Sequence, residues 1–282
     1  MQSDAVMIVT GATNGIGFIT AQELARTGAK VLLVGRDKQR LDASIAQIKS
    51  DNSDAQVDGF VADLSRISET LLLANHIQST YSRIDVLVNN AGAFYQTRQE
   101  SAEGIEMTFA LNHLAPFVLT SSLINMLRAS APSRIITVSS AAHQGAKMNF
   151  DDIQFTKRYS GWQAYAQSKL ANLLFTYELS DRLQGADVSV NALHPGFVKT
   201  GFAKGPASLF SSFFGLLQNT FALSAEQGAQ TSIYLATSQD VADVTGKYFV
   251  NKQPVASSRA SYDYTARRKL WDVSQQLMNN HC

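Results

Sequence analysis

Cysteine is almost absent from this 282-residue chain. The single one, Cys282, is the last residue, so no internal disulfide framework staples the fold, and a reducing compartment such as the cytoplasm is the expected location. An excess of either charge is also missing: 24 Lys and Arg stand against 23 Asp and Glu, which removes the broad basic surface that nucleic acid requires. The one basic cluster, Arg267, Arg268 and Lys269, reads as a solvated helix face beside Trp271. No uninterrupted apolar run reaches membrane-spanning length. The chain opens on Ala5-Val6-Met7-Ile8-Val9-Thr10 rather than on a basic and then apolar leader, so neither a transmembrane segment nor a cleaved signal is expected. His143 and His194 have no carboxylate or thiol cluster to join them, and no metal site is expected. Repeats and low-complexity tracts are lacking too.

What the chain has is alternation. Short runs rich in β-branched residues at 6–10, 30–35, 56–62, 85–89, 134–139, 187–193 and 247–250 are separated by stretches of helical spacing at 15–27, 38–50, 66–81, 111–129, 162–183 and 225–236. That order predicts an α/β fold in which a seven-stranded parallel sheet is covered on both faces within a single domain, 1–282. Two stretches are irregular. One, 141–161, separates the fifth strand from the following helix. The other, 201–223, crowds Phe202, Phe210, Phe213, Phe214 and Phe221 among leucines and serines and is expected to form a helical lid over an apolar pocket, with a subunit contact and a membrane-surface contact as the other readings. The residues 251–282 read as a C-terminal extension.

Two constellations carry chemistry. The first is Thr10-Gly11-Ala12-Thr13-Asn14-Gly15-Ile16-Gly17, three glycines between a strand and a helix. Here backbone N–H groups and the positive end of the helix can meet a pyrophosphate with no Cβ in the way, which predicts a doubly wound Rossmann fold holding a dinucleotide on Gly11, Thr13, Asn14, Gly15, Ile16 and Gly17. The second strand ends Val34-Gly35-Arg36, with no acid at position 35 to hold ribose hydroxyls. Arg36 offers a guanidinium fork to a 2′-phosphate, so NADP(H) is expected over NAD(H), although Asp37 next door is a competing ribose contact. The second constellation is Tyr165 and Lys169 in Tyr-Ala-Gln-Ser-Lys. Four residues apart they share a helix face, where an ammonium is expected to lower a phenol pKa of about 10 toward the working range of an acid–base group. Tyr159 and Trp162, just before that helix, suit either a substrate entrance or packing of the 141–161 stretch.

From Val6 to about Val250 the chain resembles the short-chain dehydrogenase/reductase superfamily. The likeness rests on the glycine loop, Asp63-Leu64 after the third strand, Asn89-Asn90-Ala91-Gly92 after the fourth, and Tyr165 with Lys169. It is closest in pattern to the retinol-dehydrogenase-like branch, through Ser139-Ser140-Ala141-Ala142-His143, Asn191-Ala192-Leu193-His194-Pro195-Gly196 and Gly246-Lys247-Tyr248-Phe249, without the membrane anchor of many animal members. The resemblance implies a tetrad of Asn112, Ser140, Tyr165 and Lys169, with Ser140 preferred over the adjacent Ser139 and Asn112 anchoring a water beside Lys169. It also implies cofactor contacts from Asp63, Leu64, Asn90, Ala91 and Gly92, and a segment over the nicotinamide at Pro195, Gly196, Val198 and Thr200. The implied activity is hydride transfer between NADP(H) and a small apolar carbonyl or alcohol: retinal- or retinol-like, steroid, long-chain aldehyde or ketone. Ser140 would polarise the oxygen, Tyr165 move the proton and Lys169 hold the nicotinamide ribose. A homodimer or homotetramer is a further implication. Two other classes use the same parts, a non-catalytic NADP(H) redox sensor and a sugar-nucleotide epimerase or dehydratase; the intact Ser–Tyr–Lys set weighs against the first and the short stretch after Thr200 against the second.

Overall fold

The computed structural model describes residues 4–196 and 223–281, so Val198, Thr200, Cys282 and, apart from Leu223, the expected lid at 201–223 lie outside the described residues. The first strand, β1 (Val6–Thr10), pairs in parallel with β2 (Lys30–Gly35) on one side and β4 (Val86–Asn89) on the other. With β3 (Val57–Val61), β5 (Ser133–Val138), β6 (Val188–His194), β7 (Lys247–Val250) and β8 (Gln253–Val255), the sheet order is β3-β2-β1-β4-β5-β6-β7-β8.

Side chains alternate across each strand, so one sequence feeds two cores. Ile8, Leu32, Leu87 and Ile135 face α3 (Ile67–Thr80), α5 (Ala115–Ala129) and α6 (Gly161–Arg182). Met7, Val9, Leu33, Val88 and Ile136 face α1 (Gly15–Ala25), α2 (Lys38–Asp51) and α7 (Ala225–Thr237). Burial on both faces is why these strands read as continuous apolar runs rather than as alternating ones.

Among the described residues the sheet has eight strands, not the seven expected, and the eighth runs antiparallel. Asn251 and Lys252 adopt positive φ of 48° and 65°, a two-residue turn that sends the chain straight back beside β7. β8 escapes a sequence reading because it is three exposed residues long and contains Pro254, which the outermost strand tolerates because no further strand needs its N–H.

Two further differences concern helices. A short turn, α4 (Met107–Phe109), and a π turn at Ala110–Leu114 precede α5, so the helical segment begins earlier than expected. The whole run Met107–Ala129 is long and apolar enough to cross a membrane, its most apolar window having a mean hydropathy of 1.3. That window is 72% buried inside the protein, because α5 has α3 on one side and the sheet beneath it. The C-terminal stretch adds α8 (Tyr264–Asn279), which lies on α6. Trp271 packs against Phe117 and stacks on Phe175, with ring centroids 5.0 and 6.1 Å away, and the Arg182 guanidinium sits 4.1 Å over its ring. Arg268 and Lys269 are exposed, as expected. Arg267 is not a solvated charge: it turns inward to Asp181 at 3.0 Å and keeps only 15% of its side chain exposed.

Candidate active site

The strand order reverses between β1 and β4, and the loops leaving the C-terminal ends of the strands there open a crevice of the kind that receives ligands in doubly wound sheets. The glycine loop forms one wall. Gly11 has a φ of +65°, and a Cβ on Gly17 would overlap the Gly11 carbonyl and the Asn90 amide. Asn90 stitches this loop to the end of β4: its Nδ2 donates to the Thr10 and Gly11 carbonyls at 2.8 and 3.3 Å, while its own N–H and that of Ala91 donate to Thr10 Oγ1. The Asn–Asn–Ala–Gly motif thus has a mechanical reason. Asn14 precedes α1 without capping it through its side chain, leaving the helix N-terminus available to an anion. Gly17→Ala is expected to cost about 1–3 kcal/mol of stability through overpacking against backbone and to weaken binding of a nicotinamide dinucleotide. Thermal unfolding of the cofactor-free variant together with a fluorescence titration checks both; wild-type values in each would show that the loop has slack.

Arg36 is exposed at the end of β2 and hydrogen-bonds the Tyr95 hydroxyl from the loop after β4. Asp37 caps α2, its Oδ1 accepting from the Arg40 N–H at 3.1 Å, and its carboxylate stays half exposed, so the ribose contact remains open to it. Asp63 Oδ1 accepts from the Ser65 N–H and hydroxyl at 3.1 and 2.7 Å, and Leu64 beside it is buried. Gly92 lies against Asn112 and Lys169, where an added Cβ would stand 3.1 Å from Asn112 Oδ1 and 3.5 Å from Lys169 Nζ. Pro195 and Gly196 follow β6, with Leu223 packed over Gly196. The open helix terminus, the cradle at Gly17 and the exposed Arg36 fit a phosphorylated dinucleotide.

At the end of β5 the two serines part company, as strand alternation requires. Ser139 Oγ donates to the Lys169 carbonyl at 2.7 Å, locking β5 to α6. Ser140 Oγ accepts from the Ala142 N–H at 3.2 Å, which leaves its own proton for the Tyr165 phenol, with which it is hydrogen-bonded. Lys169 lies one helical turn on, its Nζ 5.6 Å from the Tyr165 ring centre and donating to the Val138 carbonyl at 3.1 Å. Contrary to the sequence expectation, the phenol is not lowered: burial pushes Tyr165 up to about 12, with the Ser140 hydrogen bond opposing it. Burial also pushes Lys169 down to about 8, so without a cofactor both members of the pair are held toward their neutral forms.

Asn112, in the π turn, is fully buried: Oδ1 accepts from the Ala93 N–H at 2.8 Å, and Nδ2 donates to the Ala93 carbonyl and to Ser168 Oγ, both at 3.0 Å. Its amide clamps the loop after β4 to α6, with both amide protons in use. Of the two entrance candidates, the Tyr159 hydroxyl bonds the Tyr95 carbonyl and Glu106 within the packing of its loop, whereas Trp162 stays 43% exposed with its ring 6.3 Å from that of Tyr165. Sequence reasoning missed Phe94, whose ring meets Tyr165 edge-on at 5.8 Å, and Asn172, which shares the Val138 carbonyl with Lys169 at 3.3 Å. Only Asn172 left a signal, its place three residues after Lys169 on the same helix.

Comparison with known proteins agrees with this geometry. The short chain dehydrogenase family pattern matches residues 5–207. Human retinol dehydrogenase 13 is 41% identical over 277 residues, covering 96% of this chain and 84% of that one, and mouse retinol dehydrogenase 14 is 37% identical over 284 residues, covering 96% and 85%. Among solved structures, an uncharacterized protein from Mycobacterium paratuberculosis superimposes with a TM-score of 0.78 at 32% identity, covering 98% of this chain and 93% of that one. A Beutenbergia cavernae protein, provisionally described as an NAD(P)-dependent gluconate 5-dehydrogenase and holding NADP at low occupancy, gives 0.71 at 27% identity, covering 88% and 94%. The chain belongs to the short-chain dehydrogenases/reductases and is an oxidoreductase of that family. Within it, the chain falls in the retinol-dehydrogenase-like branch.

Proposed function

We propose that this enzyme transfers a hydride between NADP(H) and an apolar carbonyl or alcohol. The observation that carries the reading is the meeting of Ser140, Tyr165 and Lys169 at the mouth of the crevice walled by the glycine loop. The chain's own part is to hold the substrate oxygen and move its proton. Ser140 donates a hydrogen bond to that oxygen as negative charge builds on it, a contact that strengthens toward the transition state. The Tyr165 hydroxyl passes its proton to the same oxygen, and Lys169 holds the nicotinamide ribose beside it. The nicotinamide, when bound, supplies or takes up the hydride. Phe94 and Trp162 flank Tyr165 with apolar surface, which supports a hydrophobic substrate, as do relatives named for retinol.

Preference for the phosphorylated cofactor rests on Arg36, exposed at the end of β2. A charge-assisted pair of this kind contributes roughly 1.5–3 kcal/mol, so Arg36→Ala is expected to weaken NADPH binding about 10–100-fold and leave NADH binding almost unchanged. Fluorescence titration with both nucleotides decides this; equal losses for the two would remove Arg36 from the 2′-phosphate site. Turnover is tested with retinal, long-chain aldehydes and apolar ketones, following NADPH absorbance. Tight NADPH binding with turnover is the expected result, and failure to bind either nucleotide would overturn the reading. Cys282 as the single cysteine supports a reducing compartment such as the cytoplasm, and recovery with membranes after cell fractionation would contradict that placement.

A further inference from the structure

We infer that His143 is a positioning residue that pins Ser140 in place and ties it to the C-terminal segment at Ser258; this rests on the reading of Ser140 as the group that holds the substrate oxygen. His143 ends the short 3-10 turn Ala141–His143 and is fully buried. Its Nε2 lies 3.1 Å from the backbone N–H of Ser258, 115 residues further along the chain. A backbone N–H can only donate, so Nε2 must present its lone pair. The ring is neutral, and its one proton therefore sits on Nδ1, which donates to the Ser140 carbonyl at 2.6 Å. One tautomer satisfies both neighbours, and no other does.

The surroundings hold the ring in that state. The Tyr248 ring of β7 meets it edge-on at 5.0 Å, His194 of β6 is the nearby titratable group, and burial keeps both imidazoles below their ordinary protonation range. Ser258 is itself fixed: its carbonyl accepts from the Ser261 N–H and hydroxyl at 3.0 and 2.6 Å, at the start of the turn Arg259–Tyr262 that leads into α8. A second buried imidazole touches the C-terminal segment on the other side of the site. His113, next to Asn112 in the π turn, meets Ser274 of α8 at 2.9 Å. The C-terminal segment thus reaches two elements of the site through a buried imidazole each, and His143 bonds directly to the backbone of the residue whose side chain must be aimed.

Two isosteric substitutions separate the bonds. In His143→Asn the amide nitrogen replaces Nδ1 toward Ser140 but does not reach Ser258; in His143→Gln the amide oxygen replaces Nε2 toward Ser258 and gives up Ser140. For the carbonyl compound the wild type reduces fastest, His143→Gln is expected to lower kcat about tenfold or more, the scale of a sub-ångström misplacement. KM and the NADPH Kd should stay within about twofold. His143→Asn is expected to keep kcat within about threefold. Hydrogen exchange on the substrate-free protein reads the same bonds without turnover. The Ala142 and His143 amides should exchange faster in the Gln variant with Ser258 still protected, and the Ser258 amide faster in the Asn variant. Equal kcat in both variants, or unchanged Ala142 and His143 protection in the Gln variant, overturns the inference and leaves a packed core histidine. If the wild type reduces none of the carbonyls tried, the functional reading fails while the exchange pattern still decides the pin.

Discussion

Tyr165→Phe is expected to lose at least about a hundredfold of kcat, the low end of what a positioned proton donor contributes, with NADPH binding within about twofold of wild type. The substitution removes one hydroxyl from a ring that Phe94 and Trp162 already hold in place, so geometry survives and proton transfer does not. The pH profiles of the two directions carry the same signature. With the phenol pushed up to about 12, it is protonated throughout the neutral range, and carbonyl reduction by the wild type should be nearly flat there. Alcohol oxidation needs the phenolate, so its rate should climb with pH, by about tenfold per unit while the pH stays well below that value and the oxidised cofactor does not lower it. Steady-state kinetics of both proteins in both directions check this. Near-normal turnover by Tyr165→Phe would remove the phenol from the chemistry.

Lys169→Met should separate activity from stability. The lysine is buried and pushed down to about 8 from its ordinary 10.5. Below pH 8 the folded protein holds an ammonium that the unfolded chain solvates better. Between pH 8 and 10.5 the unfolded state binds more protons, so stability rises with pH through that window and the penalty is gone above it. Methionine has no such penalty. The cofactor-free variant is therefore expected to be more stable than wild type at pH 7, by on the order of 3 kcal/mol, with the advantage shrinking toward pH 10.5. The Val138 carbonyl keeps a donor in Asn172, so the substitution leaves no bare acceptor. Turnover should fall by more than about a hundredfold. Urea unfolding at pH 7 and at pH 10 measures the first effect; a variant less stable at both would show that the contacts of the ammonium outweigh its desolvation.

Much of this was legible from residues alone, and the reasons are local. The central parallel strands announced themselves because burial on both faces leaves them largely apolar. The glycine loop was visible because its backbone path excludes side chains, as the overlap of a Gly17 Cβ with Gly11 makes plain. β8 was not, because three exposed residues carry no periodic signal and the turn before it depends on positive φ at Asn251 and Lys252. Arg267 was misjudged for a related reason: a basic trio looks solvated until Asp181 on another helix comes within 3.0 Å of one member.

The sequence by itself determined the order of the elements, the crevice where that order reverses, the family, and the helix face shared by Tyr165 and Lys169, since each follows from spacing along the chain. Only the tertiary structure decided which serine meets the phenol, that Asp37 serves α2, that Asn112 has committed both amide protons, and that the Tyr–Lys pair is shifted toward neutrality rather than ionisation. These depend on which groups distant in sequence come together and on how much water they lose, and burial, unlike spacing, belongs to the folded chain as a whole.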